Sequence, residues 1–370
     1  MDLCADQLLA HLPAGARGID IAPPFRSLFG RVPGAGRRGF NADRLANRHL
    51  LLPEHVRSLT CDADFVHIAD HSYAHLTLAL PPGRAGVYCH DLDCFRCLLE
   101  PARDPRPWWF RAVTRRILNG LKRAAVVFHS TADVRRELLR FGLCPDARLV
   151  HAPYGVAAEF TADADASGVT ADPYLLHVGG DMPRKRLDVL LEVFAEVRRS
   201  IPALKLIQIG PPWSSERSRQ LAQLRIADAV VKRSDISRAA LAQLYRRAAV
   251  VLVPSEAEGF GLPVIEALAC GAVVVASDIP VLREVGGPAV VFRPVAAVAE
   301  WRDAVLSALR NPTFAPPRAD RLAWAARYTW SRHAAMIASA YDGLERNLIT
   351  PLGENHTGSS RRLTQTDAAK

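Results

Sequence analysis

Lysine is scarce in this chain. It stands only at positions 122, 185, 205, 232 and 370, so the net charge of +9 rests almost wholly on arginine. Long apolar runs are scarce too. None reaches the ~18 residues that span a bilayer, and the longest candidate, residues 262–276, is broken by Glu266 and Gly271. The N-terminus, MDLCADQLL, carries acids where a secretory leader carries a basic segment, so the expected location is cytoplasmic. No GxGxxG follows a strand-like run, which disfavours a dinucleotide oxidoreductase, and no HExxH marks a zinc hydrolase. A basic balance fits phosphate-bearing ligands, an anionic membrane face or nucleic acid. Nucleic acid is set aside as a partner because no nucleic-acid motif accompanies the charge.

Cysteine is present but reads as free thiol. There are seven, at 4, 61, 89, 94, 97, 144 and 270, an odd number in a chain without a leader. Cys89, Cys94 and Cys97 have the gaps of a plant-type iron–sulfur ligand set, with Cys144 as the fourth candidate and His90 beside them. Spacing alone is weak, and small cysteines near a strand end explain it as well. His67, His71 and His75 recur every four residues, but a strand running into a loop there would break the alignment. The Asp-x-Asp pairs at 62/64, 91/93 and 163/165 read as structural. No metal site is expected.

What remains is a packed globule: 49% hydrophobic and 23% charged residues over 370 positions, enough for two domains. Short β-rich runs alternate with amphipathic helical stretches, the pattern of parallel α/β layers. Strands are predicted over 18–22, 64–68, 86–90, 124–129 and 148–151 in the first half. In the second they are predicted over 174–178, 204–209, 229–231, 250–253, 273–276 and 289–292. Helices fall between, with Ser130 and Thr131 placed to cap one over 131–140. Residues 157–172 read as a linker and 349–370 as a disordered tail. The opening residues 2–11 read as a helix with no strand or glycine-rich turn before them.

The segment richest in chemistry is Val251 to Pro294. A buried strand ends at Pro254, a loop with two glycines follows, and a helix begins near Leu262 with Pro263 in its first turn. Glycines admit close approach to the backbone, and the free N–H groups of a helix start attract anions. Glu258 lies on the loop and Glu266 one turn into the helix. A diphosphate on the helix start with hydroxyls on the two carboxylates is one reading; a structural turn with two solvated acids is the other.

Here the sequence resembles a known family. The run Glu258-Gly-Phe-Gly-Leu-Pro-Val-Ile-Glu266, continued to Asp278, is similar to the signature of the retaining GT-B glycosyltransferases called glycosyl transferases group 1. A second stretch, Tyr174-Leu-Leu-His-Val-Gly-Gly-Asp-Met-Pro-Arg-Lys-Arg-Leu-Asp188, resembles another motif of the family. The resemblance implies two Rossmann-like domains with parallel sheets facing across a cleft. The expected division is an acceptor-side domain over 1–156, a linker over 157–172, a donor domain over 173–328, and a helix over 329–348 that returns to the first domain. The first domain is expected to lack its opening strand. The resemblance further implies that Glu266 holds the donor ribose, Glu258 the hydroxyls of the transferred sugar, and Phe260, Gly261 and Leu262 the sugar and diphosphate. It implies that Lys185 binds the donor phosphates, with Gly179, Gly180 and Arg184 beside it. Gly180 stands where many members have arginine; Arg184 and Arg186 are the candidates to compensate. A solvated helix start remains the other reading of that basic run. Val87-Tyr-Cys-His90-Asp91 looks like the strand end whose histidine faces the donor sugar. Tyr154-Gly155-Val156 is similar to the usual Asn-Gly-Val, with tyrosine for asparagine.

The implied reaction moves a sugar from a nucleotide-diphosphate donor to an acceptor with retention and without a metal or other cofactor, Glu258, His90 and Lys185 being the catalytic candidates. Its transition state is oxocarbenium-like, and the leaving diphosphate is the proposed base. A glycan or a lipid-linked acceptor fits. Residues 108–123 combine tryptophans with basic residues, so that helix reads either as ordinary core packing, which we favour, or as a peripheral contact with anionic lipid at the inner membrane face. Rival readings are another GT-B enzyme, a phosphorylase or sugar-nucleotide epimerase, and an inactive nucleotide-sugar-binding protein.

Overall fold

The computed structural model describes residues 2–21, 25–30, 36–60, 62–162 and 173–349. The Asp-x-Asp pair at 163/165, most of the linker and the residues beyond 349 lie outside them. Four parallel strands form the first sheet: β1 (Val66–Ile68), β2 (Ala85–Cys89), β3 (Val126–His129) and β4 (Leu149–His151), in the order β1-β2-β3-β4. Six parallel strands form the second: β5 (Tyr174–Val178), β6 (Lys205–Ile209), β7 (Val230–Arg233), β8 (Val250–Val253), β9 (Val274–Ser277) and β10 (Val291–Arg293), in the order β10-β9-β8-β5-β6-β7. That is a doubly wound order, reversing direction between β5 and β8, where a Rossmann-like fold opens a crevice.

Helices in the first half are α1 (Asp2–Ala10), α2 (Gly36–Ala46), α3 (Leu52–Leu59), α4 (Arg96–Leu99), α5 (Trp108–Arg123) and α6 (Ala132–Arg140). The second half carries α7 (Leu187–Ser200), α8 (Ser215–Leu224), α9 (Arg238–Arg247), α10 (Leu262–Ala269), α11 (Pro280–Gly286), α12 (Val298–Arg310) and α13 (Arg318–Ala325), and the chain closes on α14 (Trp330–Ile349). Thr131 caps α6 by accepting the Val134 N–H.

The central strands read as continuous apolar runs because both faces are covered. Alternate residues of one strand enter different cores, as the two-residue period requires. Leu175, Leu206, Val250, Leu252 and Val275 pack under α7 and α12, while Leu176, Ile207, Val251, Val253 and Val274 pack on the side of α9 and α10. In the first sheet Val87, Cys89 and Val127 face α5, and Tyr88, Val126 and Phe128 face the opposite way. That opposite face is covered by Trp330, Ala334 and Ile337 of α14 together with Phe260 and Ile265 of the second half. The last helix thus completes the first half's core.

The strand expected over 18–22 is not formed: residues 18–21 are irregular and Ile19 is 88% exposed. Alternating Ile19 and Ile21 make a strand only if a sheet edge accepts their backbone groups, and β1 pairs with β2 alone among the described residues. Helices α2 and α3 and a tight helical turn over His71–Ala79 lie where the sequence suggested none.

Candidate functional site

The crevice at the strand-order reversal brings together the two motifs of the second half. Gly179 and Gly180 leave the C-terminal end of β5, and the Pro254–Gly261 loop leaves that of β8. At the β5 side the Gly179 carbonyl accepts the Gln208 side-chain amide at 2.6 Å, and a Cβ on Gly210 would sit 2.2 Å from that same oxygen. A Cβ on Gly180 would meet only the Pro211 ring, at 3.4 Å and beyond.

Lys185, Arg184 and Glu258 form the charged centre. Lys185 Nζ donates to Glu258 Oε1 at 2.6 Å, and Arg184 Nη1 donates to Glu258 Oε2 at 3.2 Å and to the Ala257 carbonyl at 3.0 Å. The Glu258 side chain is 5% exposed and that of Lys185 12%, so the contact lies in a region of reduced dielectric, where charge pairs interact more strongly than in water. Arg186 turns elsewhere. Its guanidinium is held by Asp188 at 3.0 Å and Glu256 at 3.2 Å, and its backbone sits at φ 49° as it starts α7. Of the basic run, two cations face Glu258 and the third braces the loop.

Gly261 has φ +98°, a conformation glycine adopts freely. That turn starts α10 with Pro263 in its first turn. Phe260 is buried edge-on against Tyr154, ring centroids 5.0 Å apart, and Leu262 packs in the same cluster. Glu266 receives the Tyr245 O–H at 3.1 Å, and burial pushes its carboxyl up to about 7. A carboxyl held near neutrality switches between donating and purely accepting hydrogen bonds within the ordinary pH range. The hydroxyls of Ser255 and Ser277, at the ends of β8 and β9, are buried without a partner among the described residues. The sequence reading missed Tyr245, Ser255 and Ser277; no spacing rule links them to Glu266.

His90 follows β2 and approaches the same loop from the first half. Its main-chain carbonyl lies 2.9 Å from where a Cβ on Gly259 would be. Its ring nitrogens meet the Ala69 carbonyl, at 2.8 Å, and the Tyr154 hydroxyl. Burial lowers its pKa to about 4. Ser130 donates to the Gly259 carbonyl at 3.3 Å, and Glu284 of α11 accepts the Ala132 N–H at the start of α6 at 2.9 Å. The two halves therefore touch through strand ends and one helix cap as well as through the packing of Phe260 and Ile265 on the first sheet.

Asp70, His71 and His90 place ligand-type atoms within 4.8 Å of one another. Both histidines have protein partners there: His71 Nδ1 accepts the His90 N–H at 3.2 Å, and His90 Nε2 faces a carbonyl. The four suspect cysteines form no such group among the described residues; Cys89 and Cys144 donate to nearby carbonyls, and burial pushes the Cys89 thiol far up. His67 contacts the Tyr341 hydroxyl at 2.9 Å and His75 the Arg48 carbonyl at 2.8 Å, so the three regularly spaced histidines diverge. Asp91 accepts the Asp93 N–H at 3.0 Å, a local turn contact.

Two parallel-sheet halves facing a crevice at a strand-order reversal define a GT-B fold. Residues 160–328 match the family described as Glycosyl transferases group 1. The chain is 32% identical over 213 residues to a D-inositol 3-phosphate glycosyltransferase of Gordonia bronchialis, covering 50% of this chain and 45% of that relative. It is 25% identical over 325 residues to the serotype-specific mannosyltransferase WbdA of Escherichia coli, covering 81% of this chain and 39% of the relative. The chain spans about half the length or less of these curated relatives. Among solved structures, sucrose-phosphate synthase from Thermosynechococcus elongatus superposes with a TM-score of 0.66 at 22% identity, covering 80% of this chain and 77% of that one. Anabaena HepE in complex with UDP and glucose superposes with a TM-score of 0.65 at 16% identity, covering 80% and 83%. These likenesses concern the fold.

Proposed function

We propose that the chain transfers a sugar from a nucleotide-diphosphate donor to a glycan or lipid-linked acceptor, with retention at the anomeric carbon and without a metal. The observation that carries this reading is the buried contact of Lys185 and Arg184 with Glu258 at the crevice between β5 and β8. An arriving diphosphate draws both cations to its oxygens beside the start of α10, where free N–H groups add to the field. Glu258 is then released to accept sugar hydroxyls, and Glu266 accepts those of the ribose. As the glycosidic bond breaks, the cations stabilise the departing diphosphate, which takes the acceptor proton on the same face. Charge is thus neutralised by Lys185 and Arg184, the role a divalent ion plays in other transferases.

The acceptor belongs on the first half, where a broad groove bounded by α1, α3, β1 and α14 reaches Ala69 and Asp70 beside His90. Helix α5 buries Ile117, Leu118 and Leu121 in the core, and a Cβ on Gly120 would lie 2.1 Å from the Ala74 carbonyl, so along most of its length it packs. Its start does not: Trp108 is 82% exposed and Trp109 49%. With the arginines around them, these two support a peripheral contact with anionic lipid on the cytoplasmic side.

A donor panel tests the reading. The full chain is incubated with nucleotide sugars, and binding and hydrolysis are followed. Binding of at least one donor in the micromolar to millimolar range, weakened by Glu266→Ala, is expected; failure to bind any overturns it. Consumption of inorganic phosphate or donor isomerisation without an acceptor would point instead to a phosphorylase or an epimerase.

A further inference from the structure

Tyr154 occupies the position where the sequence resemblance leads to asparagine, and nothing in the transfer reaction described above uses it. It lies at the contact between the halves. Its ring stacks on Tyr88 at 5.2 Å, meets Phe260 edge-on at 5.0 Å, and lies 6.0 Å from Trp330 and 5.8 Å from His333. The neighbouring Gly155 has no room for a side chain, since a Cβ there would be 2.1 Å from the Trp330 amide nitrogen. Packing on every side therefore fixes where the Tyr154 hydroxyl points, which is at His90 Nδ1 with the Tyr88 hydroxyl alongside.

The direction of that hydrogen bond follows from the other ring nitrogen. A carbonyl oxygen only accepts, so His90 Nε2 carries the proton it gives to Ala69. In a neutral ring Nδ1 then holds a lone pair, and Tyr154 must be the donor. The other nearby phenol is committed, because Tyr88 donates to the Ala152 carbonyl at 2.6 Å. We propose that Tyr154 is a positioning residue that locks His90 in the Nε2–H tautomer, with its imidazole turned back into the first half, so that the His90 main-chain carbonyl is held against Gly259 of the crevice loop. Only the kinetic part of the test below rests on the nucleotide-sugar reading.

The groups facing His90 are His71, whose ring centroid is 5.6 Å away, the more distant His67, the carboxylates of Asp70 and Asp91, and the two phenols. The carboxylates favour a charged ring; burial and His71 oppose it. Donation from Tyr154 adds to the second side, since a hydrogen bond to the neutral form lowers a histidine pKa.

The experiment is ring-nitrogen NMR on the full chain labelled at histidine, for the unaltered protein, Tyr154→Phe and Tyr88→Phe. The expected unaltered spectrum shows His90 as the Nε2–H tautomer, staying neutral until close to pH 4. Tyr154→Phe keeps the ring packing and removes only the donor, so the His90 midpoint should rise by about one unit or more. Tyr88→Phe should leave it in place. A proton on Nδ1 in the unaltered protein, an unmoved midpoint in Tyr154→Phe, or an equal shift in Tyr88→Phe overturns the proposal. Should Tyr154→Phe fail to fold, the unaltered spectrum still decides the tautomer. In donor hydrolysis Tyr154→Phe should lower kcat roughly tenfold with the donor KM within about twofold. If no donor is turned over at all, the function reading fails while the NMR result stands.

Discussion

In the second half five strands lie outward from β5 in both directions; in the first, the four described strands step one way only. Where the order reverses, neighbouring loops leave on opposite sides of the sheet and a crevice opens between them. Where it does not, they leave on the same side and close over the strand ends. This is why Lys185, Glu258 and the start of α10 converge in the second half, while the first contributes single groups at strand ends: His90 after β2 and Ser130 after β3. The charged cluster and the crevice belong to one half, and the other supplies a wall.

The sharpest test of that division is Lys185→Ala. It leaves Glu258 buried with Arg184 alone, and turnover should fall about 10²–10³-fold; an unchanged rate would break the assignment. Gly155→Ala probes the wall. Its Cβ collides with the Trp330 backbone, and urea unfolding should show a loss of about 2–3 kcal/mol. Glu266 tests the crevice by pH. Its carboxyl is raised to about 7, and on the proposed function the donor's ribose hydroxyls bind best to the ionised form. Donor affinity should therefore rise with pH through that value, by about tenfold between roughly pH 6 and pH 8. Glu266→Gln should be flat over the same range by calorimetry. Glu284→Ala removes the carboxylate that caps α6 from across the crevice, and should cost about 1 kcal/mol in thermal unfolding. Trp108→Ala should change stability by no more than about 0.5 kcal/mol. It should still lower co-flotation with anionic vesicles at low salt; no loss there removes the lipid contact.

Much of the second half was legible because its signals are local. Strand runs such as Val250–Val253 are apolar throughout, and the loop from Glu258 to Glu266 carries glycine and proline where backbone geometry needs them. Lys185 and Glu258 stand 73 residues apart, and it was family resemblance, with no spacing rule, that placed both at one site. The first half was harder to read. Ile19 and Ile21 alternate like a strand, yet a strand exists only by pairing, which is a tertiary fact. The Tyr245–Glu266 hydrogen bond, the buried hydroxyls of Ser255 and Ser277 and the Glu284 cap also depend on through-space meetings. Tyr154 was visible as a departure from a motif, but its partner followed only from packing.

Val156 donates its N–H to the Tyr328 carbonyl at 3.0 Å and forms a bridge with Thr329. The chain leaves the first half at one of these residues and returns at the other, so its two crossings run side by side. Two strands of chain tied side by side constrain one another as two knuckles on a single pin would: a rotation of one half against the other about the axis through both crossings would strain neither, whereas twisting or sliding would have to break the Val156–Tyr328 hydrogen bond.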